Sequence, residues 1–94
     1  MIKTRTGSLS PDAAQALALN ALTFLATEPE NLDRLLAQSG LDIATLRARA
    51  GESELLSAVL DFLLANEDLL LGFCEDISTD PKAVHMARHV LDRA

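Results

Sequence analysis

Tryptophan and tyrosine are absent from this chain, and phenylalanine occurs only three times. Strands draw on aromatic and β-branched residues, so this shortage argues against a β-rich fold. Four glycines and three prolines leave few places for the backbone to break. A single cysteine, Cys74, excludes an intrachain disulfide and suits a reducing compartment, so a cytoplasmic location is expected. No run of 18 uninterrupted apolar residues occurs, so no membrane span is expected. Lys3 and Arg5 precede an Ala- and Leu-rich stretch, as in a secretion signal. Pro11, Asp12, Gln15 and Asn20 interrupt that stretch, however, and no small-x-small cleavage site follows it. Basic residues are also scarce. The formal net charge is −6, which argues against a general binder of nucleic acid or anionic membrane, since phosphate attraction needs a basic surface.

What remains is rich in leucine and alanine, both strong helix formers, within an apolar share of 49%. A chain of 94 residues is one small domain. Residues 1–9 are polar, carry no period and read as a flexible tail; residues 10–94 read as a single helical domain. Ser10-Pro11-Asp12 carries a cap, a first-position proline and a first-turn acid, and so opens the first helix. Its inner face is Ala14, Leu17, Ala18, Ala21, Leu22, Phe24 and Leu25, with Leu19 stranded outside. A second helix is predicted from Pro29 to Ser39, stopped by Gly40 in a left-handed cap. Asp42 caps a third, from Ile43 to Ala50, and Gly51 is expected to end it as Gly40 ends the second.

Ser53 to Ile77 holds more bulky apolar volume than any other stretch of the chain and reads as a central pair of helices hinged at Asn66. Ser53 is the expected cap of the first and Asn66 of the second. Leu55, Leu56, Val59, Leu60, Phe62, Leu63 and Leu64 span roughly 200° of the first helix's circumference, more than one neighbour can cover. Ser78-Thr79-Asp80-Pro81 repeats the cap-then-proline signal and starts a sixth helix, reaching about Arg93, with Ala83, Val84, Met86, Ala87, Val90 and Leu91 inward. The fold class expected is therefore all-α, a compact orthogonal bundle of five or six short helices around a central apolar hairpin at about 53–77.

Four chemistries fit these residues to different degrees. Leu32 to Ala50 resembles a helix-turn-helix in outline, with Arg47 and Arg49 on its second helix as nucleic-acid contacts. Asp42 would set a carboxylate against phosphates, the second helix is short, and no basic patch surrounds it, so an ordinary helix corner explains the segment better. His85 and His89 stand four apart on one helical face, the spacing of a two-histidine metal site. The segment reads HMARH rather than HExxH, and its neighbours are cationic, so neither a metal nor a cofactor is assigned. Cys74 lies on an apolar face with no evident base, which suits a small buried hydrophobe rather than a nucleophile, and no catalytic residue is assigned. The fourth is a partner-binding surface. Residues 52–80 hold eight acids and no Lys or Arg. An acidic outer face with surplus leucines points to a protein–protein interaction or adaptor role. The candidate residues are Leu63, Leu64, Glu67, Asp68, Leu71, Glu75 and Asp76, with homodimerisation as one way to cover them.

The order of motifs carries a further expectation. FLATEPENLDRLLAQSGLD, from Phe24 to Asp42, and VLDFLLANEDLLLGFCED, from Val59 to Asp76, resemble an uncharacterised family of small proteins found chiefly in alphaproteobacteria. The resemblance implies a helical domain and supplies no catalytic residues.

Overall fold

The structure, a computed structural model, describes residues 9–93. Except for Leu9, the tail expected over residues 1–9 lies outside them, as does Ala94. The described chain forms six helices, α1 (Pro11–Ala26), α2 (Pro29–Ser39), α3 (Ile43–Ala48), α4 (Ser53–Ala65), α5 (Glu67–Asp76) and α6 (Pro81–Asp92), with no strand among them. The all-α reading is borne out.

The helix starts and stops largely follow local chemistry. The Ser10 and Asp80 side chains accept from the backbone N–H groups of Ala13 and Ala83, and each precedes a proline at the start of a helix. Asp42 accepts from the Thr45 N–H at 2.8 Å. Gly40 closes α2 with φ +77°, where an L-residue would be strained. Two boundaries differ from the sequence reading. Helix α3 ends at Ala48, and Gly51 does not take a left-handed conformation; the turn instead closes through Arg49, whose N–H donates to the Thr45 carbonyl. Ser53 is the first residue of α4 rather than its cap. The left-handed position at the end of α5 falls to Ser78, with φ 55°, so that the Thr79 N–H reaches the Cys74 carbonyl at 2.8 Å.

Packing is closest among α1, α4 and α6. The reason lies in side-chain size. Ala14, Ala18 and Ala21 form a ridge of small residues along α1, all fully buried, which lets its neighbours approach. Leu25 continues the ridge, and α6 answers with Val84, Ala87 and Leu91. Between them α4 buries Leu55, Leu56, Val59, Leu60, Phe62 and Leu63. Each such side chain stabilises the fold by roughly 1.5–3 kcal/mol through burial alone. The wide apolar arc on α4 therefore finds several neighbours, since α1, α2, α5 and α6 all touch it.

Helix α5 follows α4 across the single residue Asn66 and packs less extensively, at the edge of the bundle. Its inner side is held by Leu69, Leu70, Phe73 and Cys74. The rings of Phe73 and Phe24 lie 5.6 Å apart at 59°, a tilted pair that joins α5 to α1. Gly72 lies beside this contact: a Cβ there would sit 3.4 Å from the tip of the Phe24 ring, an ordinary van der Waals distance.

Candidate functional site

Helix α5 presents its outer side to solvent. On a wheel of 100° per residue, Glu67, Leu71, Glu75 and Asp68 fall within a stripe of about 100°. Leu71 is 50% exposed, the most open of the large hydrophobic residues among those described. Glu67 and Glu75 flank it one turn away on either side, and both are exposed, as is Asp76 beyond. Leu64, near the end of α4, is half-buried against the core. Leu63 is fully buried, which removes it from the candidate surface. It lies on the side of α4 that the other helices cover; at about 100° per residue it stands nearly opposite the exposed Asp61.

The tertiary structure sorts the acids of residues 52–80. Arg49 reaches Glu52 at 2.8 Å and Glu54 at 3.4 Å. Arg88 on α6 pairs with Asp61 on α4 at 2.6 Å. Arg34 on α2 pairs with Asp68 at 3.3 Å, and this bond to the guanidinium holds the Asp68 carboxyl below its usual range. Asp80 is engaged in capping α6. Glu67, Glu75 and Asp76 take part in no ion pair among the described residues. Of the segment's four acids without an ion pair among the described residues, Glu67, Glu75, Asp76 and Asp80, three therefore lie on α5, two of them one turn to either side of an exposed leucine.

One polar cluster fixes the direction of that helix. Asn66 was expected to cap α5, but its side chain makes no capping bond. Its amide nitrogen donates to the Phe62 carbonyl at 2.7 Å and to the Gln38 carbonyl oxygen at 2.9 Å. Its oxygen accepts from Arg34 at 2.9 Å and from Gln38 at 3.3 Å. Arg34 and Gln38, one turn apart on α2, thus grip the elbow between α4 and α5, and Arg34 extends the grip to Asp68. Sequence reasoning missed this cluster; its only local sign is an arginine and a glutamine four residues apart on the helix.

The other candidates look different in three dimensions. Arg47 is exposed on α3, but Arg49 is neutralised by Glu52 and Glu54, and its hydrogen bond to Glu52 raises its pKa. At the start of α3, a bond from the Thr45 N–H keeps Asp42 ionised to lower pH than usual. Burial pushes the Cys74 thiol up, away from the thiolate form. His85 and His89 are exposed on α6 and, with Lys82, border a shallow groove of about 250 Å³ whose apolar walls are Leu9, Met86 and Val90. No three His, Cys, Asp or Glu side chains among the described residues are grouped to hold a metal ion. No described helix is long and apolar enough to cross a membrane.

These features define a small all-α domain with an apolar three-helix core and an acidic edge helix. Residues 11–94 match the model of a family of unknown function, DUF3572, and the chain belongs to that family. No curated protein and no solved structure matches the chain.

Proposed function

We propose that this chain is a protein-interaction module and that the outer face of α5 is its docking surface. The observation that supports this most is Leu71, half exposed and flanked at one helical turn by Glu67 and Glu75, acids without a cationic partner among the described residues. An exposed apolar residue ringed by charge is a common arrangement at binding surfaces, where the apolar contact contributes affinity and the charges select the partner. Asp76, the last residue of α5, lies about 140° round the helix from Leu71, and Leu64 is half-buried against the core, so both stand at the margin of this surface. Asp68 belongs to its frame, tied to α2 through Arg34.

The reading assigns no catalytic residue, cofactor or metal, and the buried thiol of Cys74 accords with a reducing, cytoplasmic setting. Nucleic-acid recognition through Arg47 and Arg49 draws less support. Helix α3 is only six residues long, its N-terminus carries the Asp42 carboxylate, and one of the two arginines is already paired.

A photo-crosslinking residue placed at position 71, in the full chain in its native cell, tests the proposal. A discrete adduct with a second polypeptide is expected at position 71 and not at position 33, an exposed site on α2. Equal or absent adducts at the two positions would remove the α5 face from consideration.

A further inference from the structure

The docking face has a counterpart on the same molecule. Lys82, His85, His89 and Arg93 recur at intervals of three or four residues and so form one ridge along α6, about 16 Å long. All four are exposed, and none takes part in an ion pair among the described residues. Arg88, which does, lies on the other side of the helix, held by Asp61 and Asp92. Beside the ridge runs the groove of Leu9, Met86 and Val90. At about 250 Å³ it falls below the size of most small-molecule sites but would receive an aliphatic side chain.

The two surfaces are opposites in both respects. Helix α5 offers a protruding leucine between acids; α6 offers an apolar groove beside a cationic ridge. We infer that the occupant of the α5 face is the α6 face of a second copy of this chain, with Leu71 seated in the groove of Leu9, Met86 and Val90 and with Glu67 and Glu75 against the ridge of Lys82 and Arg93. This rests on the docking role proposed for α5 and names its partner. A contact of α5 on α5 is disfavoured, because it would set Glu67 and Glu75 against like charges. Pairing α5 with α6 avoids that repulsion despite the net charge of −6, since the local charges are opposite where the surfaces meet. If both contacts form across one two-fold axis, the product is a closed dimer; if not, each copy leaves a free face and longer assemblies follow.

Sedimentation equilibrium of the full chain over a wide concentration range provides the test, with circular dichroism confirming that each variant is folded. The wild-type mass is expected to rise with concentration. Leu71→Lys should abolish the rise. Two charge-reversed forms, Glu67→Lys with Glu75→Lys and Lys82→Glu with Arg93→Glu, should each associate at least about tenfold more weakly alone. Mixed together they should recover association, because each then meets a complementary face. A wild-type chain that stays monomeric, or reversed forms that associate as wild type or fail to recover on mixing, would overturn the inference. In that case a position-71 crosslink to a different polypeptide would leave the docking face standing, whereas its absence would remove both. A duplex-DNA mobility shift lost in the Lys82→Glu, Arg93→Glu form, with the wild type monomeric, would reassign the α6 ridge to nucleic acid.

Discussion

Helices α4 and α5 are adjacent in sequence, joined by one residue, rich in leucine and free of Lys and Arg, yet they differ in what surrounds them. Helix α4 lies in the middle of the bundle. Six of its apolar side chains are buried, and its acids Glu54 and Asp61 are paired with Arg49 and Arg88. Helix α5 lies at the edge. It buries four residues, exposes Leu71, and carries Glu67, Glu75 and Asp76 without partners among the described residues. Two leucine-rich segments, the second with four acids in 10 residues against two in 13, thus give a core element in one place and a surface element in the next. The number of neighbouring helices decides which. A charge without a neighbour stays in water at little cost, whereas a leucine without one leaves apolar area that a partner can cover.

The largest expected effect breaks this contrast directly. Leu56→Ala on α4 removes a fully buried side chain and should lower unfolding free energy by about 2–5 kcal/mol, whereas Leu71→Ala on α5 should change it by no more than about 0.5 kcal/mol. Urea denaturation of dilute protein measures both, and similar losses would mean that α5 is as much a part of the core as α4. Next comes the elbow that sets the two helices apart. Asn66→Ala strips the partners from Gln38 and the Phe62 carbonyl and should cost about 1–3 kcal/mol, with hydrogen exchange rising in α5 more than in α4. Uniform acceleration in both helices would show that the cluster holds the whole bundle rather than the elbow. The smallest effect is a gain. Ser78→Gly relieves the left-handed backbone after α5 and should raise stability by about 1 kcal/mol, as a shift in denaturation midpoint. A loss would indicate that the Ser78 side chain contributes more than its backbone strain costs.

Much of this architecture was legible residue by residue. Ser10, Asp42 and Asp80 as caps, the prolines at the starts of three helices, and Gly40 in its left-handed turn all act over three or four residues, so their partners are already nearby in the chain. The apolar faces of α1 and α6 were readable for the same reason, since helical period alone sets which residues share a side. Leu19 was correctly placed outside. Features that failed to read out depend on distant partners. Gly51 looked like a second Gly40, but the turn closes through Arg49 and accepts a bond from Gln15, 36 residues earlier in the chain. Asn66 carries the residue type of a cap and spends its side chain on α2 instead.

By itself, then, the sequence determined an all-α domain, the approximate limits of its six helices and an acidic stretch without basic residues between Glu52 and Asp80, because propensity, caps and charge are properties of short segments. Only the tertiary structure decided that α4 is central and α5 peripheral, that Leu63 is covered and Leu71 is not, and which acids are neutralised. The last of these depends on arginines contributed by α2, α6 and the turn after α3. The choice between burial and exposure belongs to how helices pack, not to the order of residues within any one of them.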